Sequence, residues 1–373
     1  MAQAMSVETI LNMQARAAVE EPSIMGSEHV ADVSGEGDVP AAKRARSQTS
    51  ASPEPAEDPC GEEFFAAYDD LSVHLLMLHD QSRVGAYVAG VRANRASIEG
   101  KVVLDVGAGS GVLSMLAAKH GGAQRVYAVE AAAGMARLAA SLVERNGLSD
   151  VVRVIEGRLE DVMLPEKVDV IISEWMGFYL LHESMLGSVI TAREKWLKDD
   201  GLLLPSSANI WAAVLEGEEF HREVEVLSDI HGLDFSSLAP TAVAGRCKQP
   251  SIEDVGGNRL LTNPLLVASL DLRTVTSTNL HALDKELSFV ALRAGRAAGV
   301  CLWFDVNFIE PLKSSVPCVI LSTAPGVPLT HWKQTVVYFG SFPCIEAGDE
   351  LPLRLLLRQS TDNPRQYDIS VET

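Results

Sequence analysis

The sequence has few cysteines, and their spacing suits neither cross-linking nor metal binding. The 5 cysteines of the 373-residue chain are widely separated and form no Cys-x-x-Cys pair. This odd, scattered set argues against a disulfide framework and a zinc site, and it fits a reducing compartment. No window approaches the roughly 18 consecutive apolar residues of a membrane helix, and no basic-then-apolar leader opens the chain. We therefore expect a soluble protein that is not secreted and has neither a membrane partner nor a bound metal.

Positive charge is also scarce in this chain. The 31 Lys and Arg residues face 50 Asp and Glu residues, which gives a formal net charge of −19. A protein with this negative charge repels the phosphates of nucleic acid and attracts basic partners. We therefore expect no direct nucleic-acid binding. Charge alone does not separate a cationic substrate from simple solubility, and both interpretations stay open at this point.

Aromatic residues are missing from the beginning of the chain. Residues 1–62 contain no Phe, Trp or Tyr and are rich in Ala, Ser, Glu and Pro. Such a segment buries too little surface to offset its ordering entropy, which predicts a disordered tail. Lys43, Arg44 and Arg46 form a short basic cluster within it, typical either of a nuclear address or of a solvated charge run. We expect the protein in the nucleus, the cytoplasm or both.

Residues 63–205 alternate helical patterns with short apolar runs. The pattern is helical up to about residue 90, and strand-like runs separated by candidate helices follow. Alternation of this kind predicts an α/β fold, a Rossmann-like, doubly wound parallel sheet. The apolar runs are Val102–Val106, Val126–Val129, Val151–Ile155, Val168–Ile172 and Leu202–Leu204.

Residues 206–373 follow a different pattern. Helical periodicity fades and β-rich runs take over, which predicts a β-barrel-like domain. Residues 216–243 interrupt these runs with a polar, acidic, partly helical stretch that has no clear core to join. We therefore expect this stretch to be an arm that holds a homodimer together.

A glycine-rich turn joins the first strand to the following helix. Glycines at 107, 109 and 111 let the backbone approach a ligand at the carboxyl edge of the sheet. Val112 stands where a dinucleotide-binding fingerprint has its third glycine, which favours a mononucleoside-type ligand. Glu130, at the end of the second strand, is placed to accept both ribose hydroxyls. These features together predict S-adenosylmethionine, whereas a purely structural turn would not account for Glu130.

Two glutamates flank a predicted hairpin after the fourth strand. Glu174 directly follows that strand, and Gly177 lets the chain turn so that Glu183 faces Glu174. Two carboxylates in an apolar loop repel each other and raise one pKa unless a cation lies between them. A planar guanidinium with five donors is the natural occupant. The alternative is that Glu183 caps the helix that opens near Ser184.

The glycine loop, the hairpin and Thr330-His331-Trp332 together resemble the signature motifs of protein arginine methyltransferases. Residues 173–177 and 182–185 resemble the double-E loop of that family, and the likeness spans about Phe64 to Tyr367. The resemblance implies methyl transfer from S-adenosylmethionine to arginine in basic proteins such as histones and Arg/Gly-rich proteins. S-adenosylhomocysteine would be what remains of the cofactor after methyl transfer. The expected peptide product is mono- and asymmetric dimethylarginine, as in the type I subclass.

The resemblance also assigns roles to individual residues. Glu174 and Glu183 would be catalytic, and His331 with Asp80 would handle the proton. Arg83 would pair with the carboxylate of the cofactor. The full cofactor-binding set is His74, Arg83, Asp105, Gly107, Gly109, Glu130 and Glu160, and the substrate pocket is Met77, Met185, Trp332 and Tyr68.

Four positions depart from the family pattern. Phe64 and Phe178 replace common tyrosines, and Leu75 and Leu76 stand where two acids are usual. None of the proposed chemical groups is lost, so we expect altered strength or specificity. Two alternatives stay open: a non-catalytic subunit that stabilises an active partner, and a small-molecule methyltransferase of the same fold. The second would need neither the acidic hairpin nor the β-rich half.

Overall fold

The computed structural model describes residues 68–308 and 319–372. The predicted tail at 1–62, with the basic cluster Lys43, Arg44 and Arg46, lies outside the described residues, as does Phe64. Within the described ranges, no helix has both the length and the apolar character needed to span a bilayer.

The N-terminal helices are interrupted at Asp80. The helical pattern expected up to about residue 90 is divided into α1 (Leu71–His79) and α2 (Gln81–Ala93), because Asp80 adopts an extended conformation. Its carboxylate accepts from the Arg83 amide and so caps α2, while Asp70 caps α1 by accepting from Ser72. A short α3 (Arg95–Ile98) follows. Asp80 therefore lies at the C-terminal end of α1 and at the N-terminal end of α2.

The first domain contains the predicted doubly wound sheet. Its five strands are all parallel in the order β3-β2-β1-β4-β5, so the strand order reverses next to β1. Ligands bind such sheets outside the carboxyl ends of the strands at this reversal. The strands are β1 (Val102–Val106), β2 (Arg125–Glu130), β3 (Val152–Glu156), β4 (Val168–Ser173) and β5 (Leu197–Leu204). The helices between them are α4 (Val112–Leu116, extended by a π-helical turn at Ala117–Gly121), α5 (Ala133–Arg145) and α6 (Leu186–Trp196).

The second half is antiparallel, as its β-rich pattern predicted. One sheet has the order β7-β12-β10-β6-β8, with β11 and β13 also paired to the long β10, and another has the order β15-β14-β9. Its strands are β6 (Ser207–Glu216), β7 (Ser251–Glu253), β8 (Leu265–Asp271), β9 (Ala282–Val290), β10 (Gly295–Asn307), β11 (Ile320–Ser322), β12 (Gln334–Tyr338), β13 (Cys344–Ile345), β14 (Glu350–Gln359) and β15 (Tyr367–Glu372).

Short helices stand between the strands of this half. They are α7 (Glu218–Glu225), α8 (Ala239–Arg246) and α9 (Ser277–Leu280), with 3₁₀ turns at Val226–Ser228, Ser236–Leu238 and Gly257–Arg259. Helix α7 and most of helix α8 fall in the stretch, 216–243, that was expected to be the arm, and residues 217–246 are called the arm below. Glu216 ends β6 and forms an ion pair with Arg293 at 2.7 Å, so the arm begins after it. The second helix of the arm continues to residue 246, because its end packs on the sheet.

The base of the arm is fixed to the antiparallel sheet by Arg246. Its guanidinium lies 5.4 Å from the ring centre of Phe220 on α7 and 5.0 Å from that of Tyr338 on β12. It also forms an ion pair with Glu253 at 3.2 Å, and the Tyr338 hydroxyl donates to the same carboxylate. Both helices of the arm are therefore tied to the antiparallel sheet.

The two halves meet where α2 packs against the end of β10. The rings of Tyr87 and Phe308 are 4.8 Å apart in an edge-to-face arrangement, and Asn94 donates to the Phe308 carbonyl at 2.6 Å. Gly90 lies directly beneath the Phe308 ring, where a Cβ would come within 2.6 Å of it. Close packing at this glycine therefore sets the distance between the helix and the strand.

We expect Gly90→Ala to destabilise the protein by about 1–3 kcal/mol, because the added methyl group overpacks the Phe308 contact. Thermal denaturation of the purified variant measures this change. Gly85→Ala on the same helix is the control, since nothing lies within 4 Å of its added Cβ. We expect the control to be neutral or stabilising by up to about 1 kcal/mol. Equal melting temperatures for the two variants would contradict the packing argument.

Candidate active site

The carboxyl ends of β1, β2 and β4 open into one cleft. The N-terminal helices and the segment before β12 line its other side, and its empty volume, including the open mouth, is about 1320 Å³. Asp80 and Asp105 are the predicted site residues that do not line it. Those that do are Tyr68, His74, Met77, Arg83, Gly107, Gly109, Glu130, Glu160, Glu174, Glu183, Met185, His331 and Trp332.

The glycine loop has a backbone that side chains would obstruct. Gly107 and Gly109 have φ angles of 70° and 53°, in the left-handed region. A Cβ on Gly107 would come within 2.1 Å of the Met185 side chain, and one on Gly109 within 3.1 Å of the His74 ring. The loop thus passes directly against two side chains that were predicted to surround the cofactor and the methyl-accepting pocket.

Glu130 holds this loop in place. One of its oxygens accepts from the Gly109 amide at 2.7 Å and the other from the Ala132 amide at 2.8 Å. The residue is only 7% exposed, yet it borders the cleft at the end of β2. A cradle without Cβ atoms beside a fixed strand-end carboxylate fits a nucleoside cofactor such as S-adenosylmethionine.

Asp105 differs from the expectation that it contacts the cofactor. It is fully buried under the loop, and one of its oxygens accepts from the Ser114 hydroxyl of α4 at 2.7 Å. Burial raises the pKa of this carboxyl to about 7. Asp105 therefore supports the glycine loop from below, because β1 directs its side chain into the sheet–helix interface.

Glu174 is bound to a cation from the N-terminal helices. Both Nε and Nη2 of Arg83 lie 3.1 Å from one oxygen of Glu174, and Nη1 donates to the Met77 carbonyl at 3.0 Å. The other carboxylate oxygen accepts from the Met176 amide. Arg83 was predicted to pair with the carboxylate of the cofactor. In the structure it connects α2 to the hairpin, and its pairing with the cofactor stays a prediction.

Glu183 lies in a tight hairpin with unusual backbone angles. Tyr179, Leu180, Glu183 and Ser184 have φ between 43° and 76°, a region that disfavours non-glycine residues. A Cβ on Gly177 would come within 2.1 Å of the carbonyl oxygen opposite, so glycine is needed where the turn was predicted. The following helix begins only at Leu186 without a side-chain cap, so the helix-cap alternative for Glu183 is not observed.

The environment of Glu183 differs from that of Glu174. Burial raises the pKa of Glu183 to about 7, although its hydrogen bond from the Tyr68 hydroxyl, at 2.7 Å, lowers it. The negative charge of Glu174 adds to the increase, and the Arg365 guanidinium opposes it. The predicted repulsion between the two carboxylates is therefore present in the site. Glu174 forms an ion pair with Arg83 at 3.1 Å, whereas the Glu183 carboxylate accepts from a neutral hydroxyl and is affected by the charge of Arg365.

Asp80 and His331 form the predicted pair. Nδ1 of His331 lies 2.8 Å from Asp80, and the backbone amide of His331 donates to the same carboxylate oxygen at 2.9 Å. Burial raises the pKa of Asp80, but hydrogen bonds from His331 and from the Arg83 amide lower it below its usual value. The Trp332 indole stacks on the His331 ring at 3.9 Å and donates to the Met176 carbonyl at 2.8 Å. Trp332 thereby attaches this segment to the hairpin.

The remaining predicted residues, Glu160 and His74, also line the cleft. Glu160 accepts from Ser188 at 2.8 Å, and His74 shares a hydrogen bond with the Tyr68 carbonyl. Leu76 also lines the cleft, whereas Leu75 is 44% exposed, so one of the two leucine departures faces the site. Over residues 68–308 and 319–372, no cluster of three or more His, Cys, Asp or Glu could hold a metal ion.

Sequence reasoning missed Arg365. It lines the cleft next to Glu183, although 182 positions separate the two residues in the chain. It lies in a loop between two strands with no recognisable motif around it. Only the pairing of β14 with β15, which places their connecting loop beside the hairpin, reveals it.

Comparison with known families assigns both halves of the chain. Residues 206–373 match the arginine methyltransferase oligomerization subdomain, and residues 103–201 match a methyltransferase domain. Protein arginine N-methyltransferase 6 of Danio rerio is 39% identical over 315 residues, covering 83% of this chain and 88% of that protein. The probable protein arginine N-methyltransferase 6 of Arabidopsis thaliana is 36% identical, with 83% and 78% covered.

Solved structures share the fold. One is the enzyme–prozyme complex of protein arginine methyltransferase 1 from Trypanosoma brucei with AdoHcy. It matches with a TM-score of 0.73 and 33% identity, covering 82% of this chain and 93% of that one. Protein arginine methyltransferase 10 of Arabidopsis thaliana matches with a TM-score of 0.72 and 36% identity, with the same coverage.

We expect Glu183 to ionise near pH 7 and Tyr68→Phe to move its titration to higher pH, because the variant removes a hydrogen bond to the carboxylate. NMR titration with carboxyl-¹³C glutamate measures both values. Because only glutamates carry the label, Asp105, whose pKa is also about 7, gives no signal. The resonance that disappears in Glu183→Gln is the one that belongs to Glu183. A Glu183 titration near the ordinary value of about 4.3, unmoved in Tyr68→Phe, would contradict the burial argument.

Proposed function

The chain belongs to the protein arginine N-methyltransferase family, and we propose that it methylates arginine in histones or Arg/Gly-rich proteins to give mono- and asymmetric dimethylarginine. Transfer from S-adenosylmethionine to arginine is the activity of the family, and the site fits that cofactor. The class of protein substrate and the asymmetric product are what the proposal adds to this family activity. Residence in the nucleus, the cytoplasm or both is a further part of it.

The observation that supports the substrate class is the unequal pair of glutamates. Glu174 already has Arg83 at 3.1 Å, whereas the half-buried Glu183 has a neutral hydroxyl at 2.7 Å. A cation placed between them relieves the burial penalty of Glu183 and the repulsion between the two. Guanidinium stays protonated at neutral pH and offers donors in a planar fork, so one arginine side chain can reach both carboxylates.

The mechanism follows from how these groups act on the guanidinium. When bound, S-adenosylmethionine supplies an electrophilic methyl group, and the glycine loop, Glu130 and Arg83 would hold it. Removing a proton from arginine before the reaction is costly because its pKa is above about 12. Glu174 and Glu183 instead draw the positive charge towards themselves and orient the attacking nitrogen, a matter of proximity and electrostatics.

The proton leaves through His331 in this proposal. Asp80 accepts the hydrogen bond of Nδ1, which leaves Nε2 of the imidazole able to take up a proton. The pair lies beside the hairpin because Trp332 is bonded to the Met176 carbonyl. Proton removal after methyl transfer avoids forming a neutral guanidine in the ground state.

The two methionines support the asymmetric product. Met77 and Met185 both line the cleft, and the Met185 methyl group is packed against Gly107 of the cofactor loop. Their bulk restricts how the substrate nitrogens are presented, which favours a second methylation on the nitrogen already modified. This interpretation rests on their position together with the family resemblance.

A catalytically weak partner subunit is the alternative, and the four departures motivate it. Phe178 is buried and its ring lies 5.8 Å from that of His182, so it fills space in the hairpin without a hydroxyl. Glu174, Glu183, Asp80 and His331 are nevertheless all present in bonded positions. We therefore favour an active enzyme.

The purified chain alone should transfer methyl groups to an Arg/Gly-rich peptide or a histone, and mass spectrometry should identify asymmetric dimethylarginine. Labelled product excludes the inactive-subunit alternative. Symmetric dimethylarginine would overturn the product assignment. Absence of both transfer and cofactor binding would support the alternative.

Glu174→Gln and Glu183→Gln serve as controls in the same assay. Each keeps the shape of the side chain and removes its charge, so we expect turnover to fall by about two to three orders of magnitude or more. Calorimetry should still detect cofactor binding in both variants. Near-normal turnover in both variants would refute the proposal that the two carboxylates bind and orient the guanidinium.

The oligomerisation subdomain supports dimer formation, and we propose a homodimer joined through the arm. Val226, Leu233 and Leu238 of the arm are 61%, 60% and 52% exposed. Apolar side chains this accessible, on a segment whose base is fixed by Arg246, suit contact with a second copy.

Replacing residues 219–244 by a short Gly/Ser linker should convert the dimer to a monomer in sedimentation velocity. Leu233→Asp should weaken the dimer, because it places a charge in the apolar contact. Met163→Asp is the matched control, since Met163 is 81% exposed but lies outside the arm. A dimer unaffected by the arm replacement would exclude this interface.

A further inference from the structure

The loop between β14 and β15 holds the backbone of the catalytic hairpin. The Glu183 amide donates to the Arg365 carbonyl at 2.7 Å, and Nη1 of Arg365 donates back to the Glu183 carbonyl at 3.2 Å. The next residue is held too, since the Ser184 hydroxyl donates to the Pro364 carbonyl at 2.7 Å. One residue, Arg365, therefore binds both polar groups of the Glu183 backbone.

These bonds act on an unfavourable conformation. Glu183 and Ser184 have φ angles of 73° and 54°, which persist in non-glycine residues only where surrounding contacts impose them. The backbone angles set the direction of the Cα–Cβ bond and hence the position of the carboxylate. A contact that holds the Glu183 backbone thus also aims its side chain.

Arg365 has a second effect through its charge. Its guanidinium lines the cleft and lowers the pKa of Glu183, against the effects of burial and of Glu174. Arg83 already forms an ion pair with Glu174, and the Tyr68 hydroxyl carries no charge. Arg365 is thus the cation that acts on the second glutamate.

We propose that Arg365 is a positioning residue for methyl transfer, which holds the Glu183 backbone in its left-handed conformation and places a positive charge beside the carboxylate. The proposal rests on the proposed function, in which Glu183 binds the target guanidinium. Arg365 belongs to the β-rich half and Glu183 to the α/β half. The contact therefore makes the geometry of the hairpin depend on how the two halves meet.

Two substitutions separate the backbone effect from the charge effect. Arg365→Met keeps the length of the side chain but removes its charge and its donors, whereas Arg365→Lys keeps the charge and loses the planar fork. The acid limb of the pH profile of kcat/KM reports the pKa values of essential groups in the free enzyme. We expect Arg365→Met to move this limb to higher pH, because the positive charge that lowers the pKa of Glu183 is removed. Below the limb, kcat/KM should fall about tenfold for each pH unit of displacement. Arg365→Lys should leave the limb in place and lower kcat/KM at every pH.

Calorimetric binding of S-adenosylmethionine should be unchanged in both variants, since Arg365 acts on Glu183 and not on the glycine loop. Arg358→Met is the matched control, because Arg358 is an exposed arginine on β14. It should keep the wild-type profile. An unshifted acid limb in Arg365→Met, with normal kcat/KM, would overturn the proposal.

The failure of this proposal and that of the proposed function are distinguishable. If Glu183→Gln is inactive while Arg365→Met behaves as wild type, the role proposed for Arg365 is wrong, and binding of the guanidinium by the two glutamates is still supported. If Glu183→Gln is fully active, the proposed function itself fails. Should Arg365→Met not fold, as judged by thermal denaturation, Arg365→Lys decides. Lowered kcat/KM with the limb in place supports the proposal, and a wild-type value refutes it.

Discussion

The placement of two carboxylates in one buried hairpin is the constraint on which the rest of the site depends. Each carboxylate needs a partner, because an uncompensated buried charge is costly. Arg83 from α2 satisfies Glu174 directly, whereas Tyr68 and Arg365 reach Glu183 from opposite ends of the chain. Under the proposed function, the imbalance between the two glutamates favours binding of a planar cation.

The site is composed from both halves of the molecule. The parallel sheet supplies the glycine loop, Glu130 and the hairpin, while the β-rich half contributes His331, Trp332 and the 360–366 loop. Contacts such as the Trp332 indole on the Met176 carbonyl fix one half to the other. The α/β half alone could hold the cofactor and the two glutamates, but it would lack His331, to which the proposed function assigns removal of the proton.

The departures from the family pattern leave these charged contacts intact. Phe178 is buried beside the His182 ring, and Leu75 is exposed on α1, so neither position interrupts a charged contact described above. Phe178 and Leu76 both line the cleft, and Leu76 presents an apolar surface where an acid is usual in the family. We therefore expect its consequences in substrate preference rather than in the chemical step.

The sequence by itself determined the parallel sheet, the glycine loop, Glu130 and the glutamate hairpin, because periodicity and turn chemistry depend on neighbouring residues. Only the tertiary structure decided that Asp105 supports the loop from below, that Asp80 divides the helices, and that the arm begins after Glu216. The pKa of Glu183 belongs to this second group. It depends on burial and on partners 115 and 182 positions away, which no local pattern encodes.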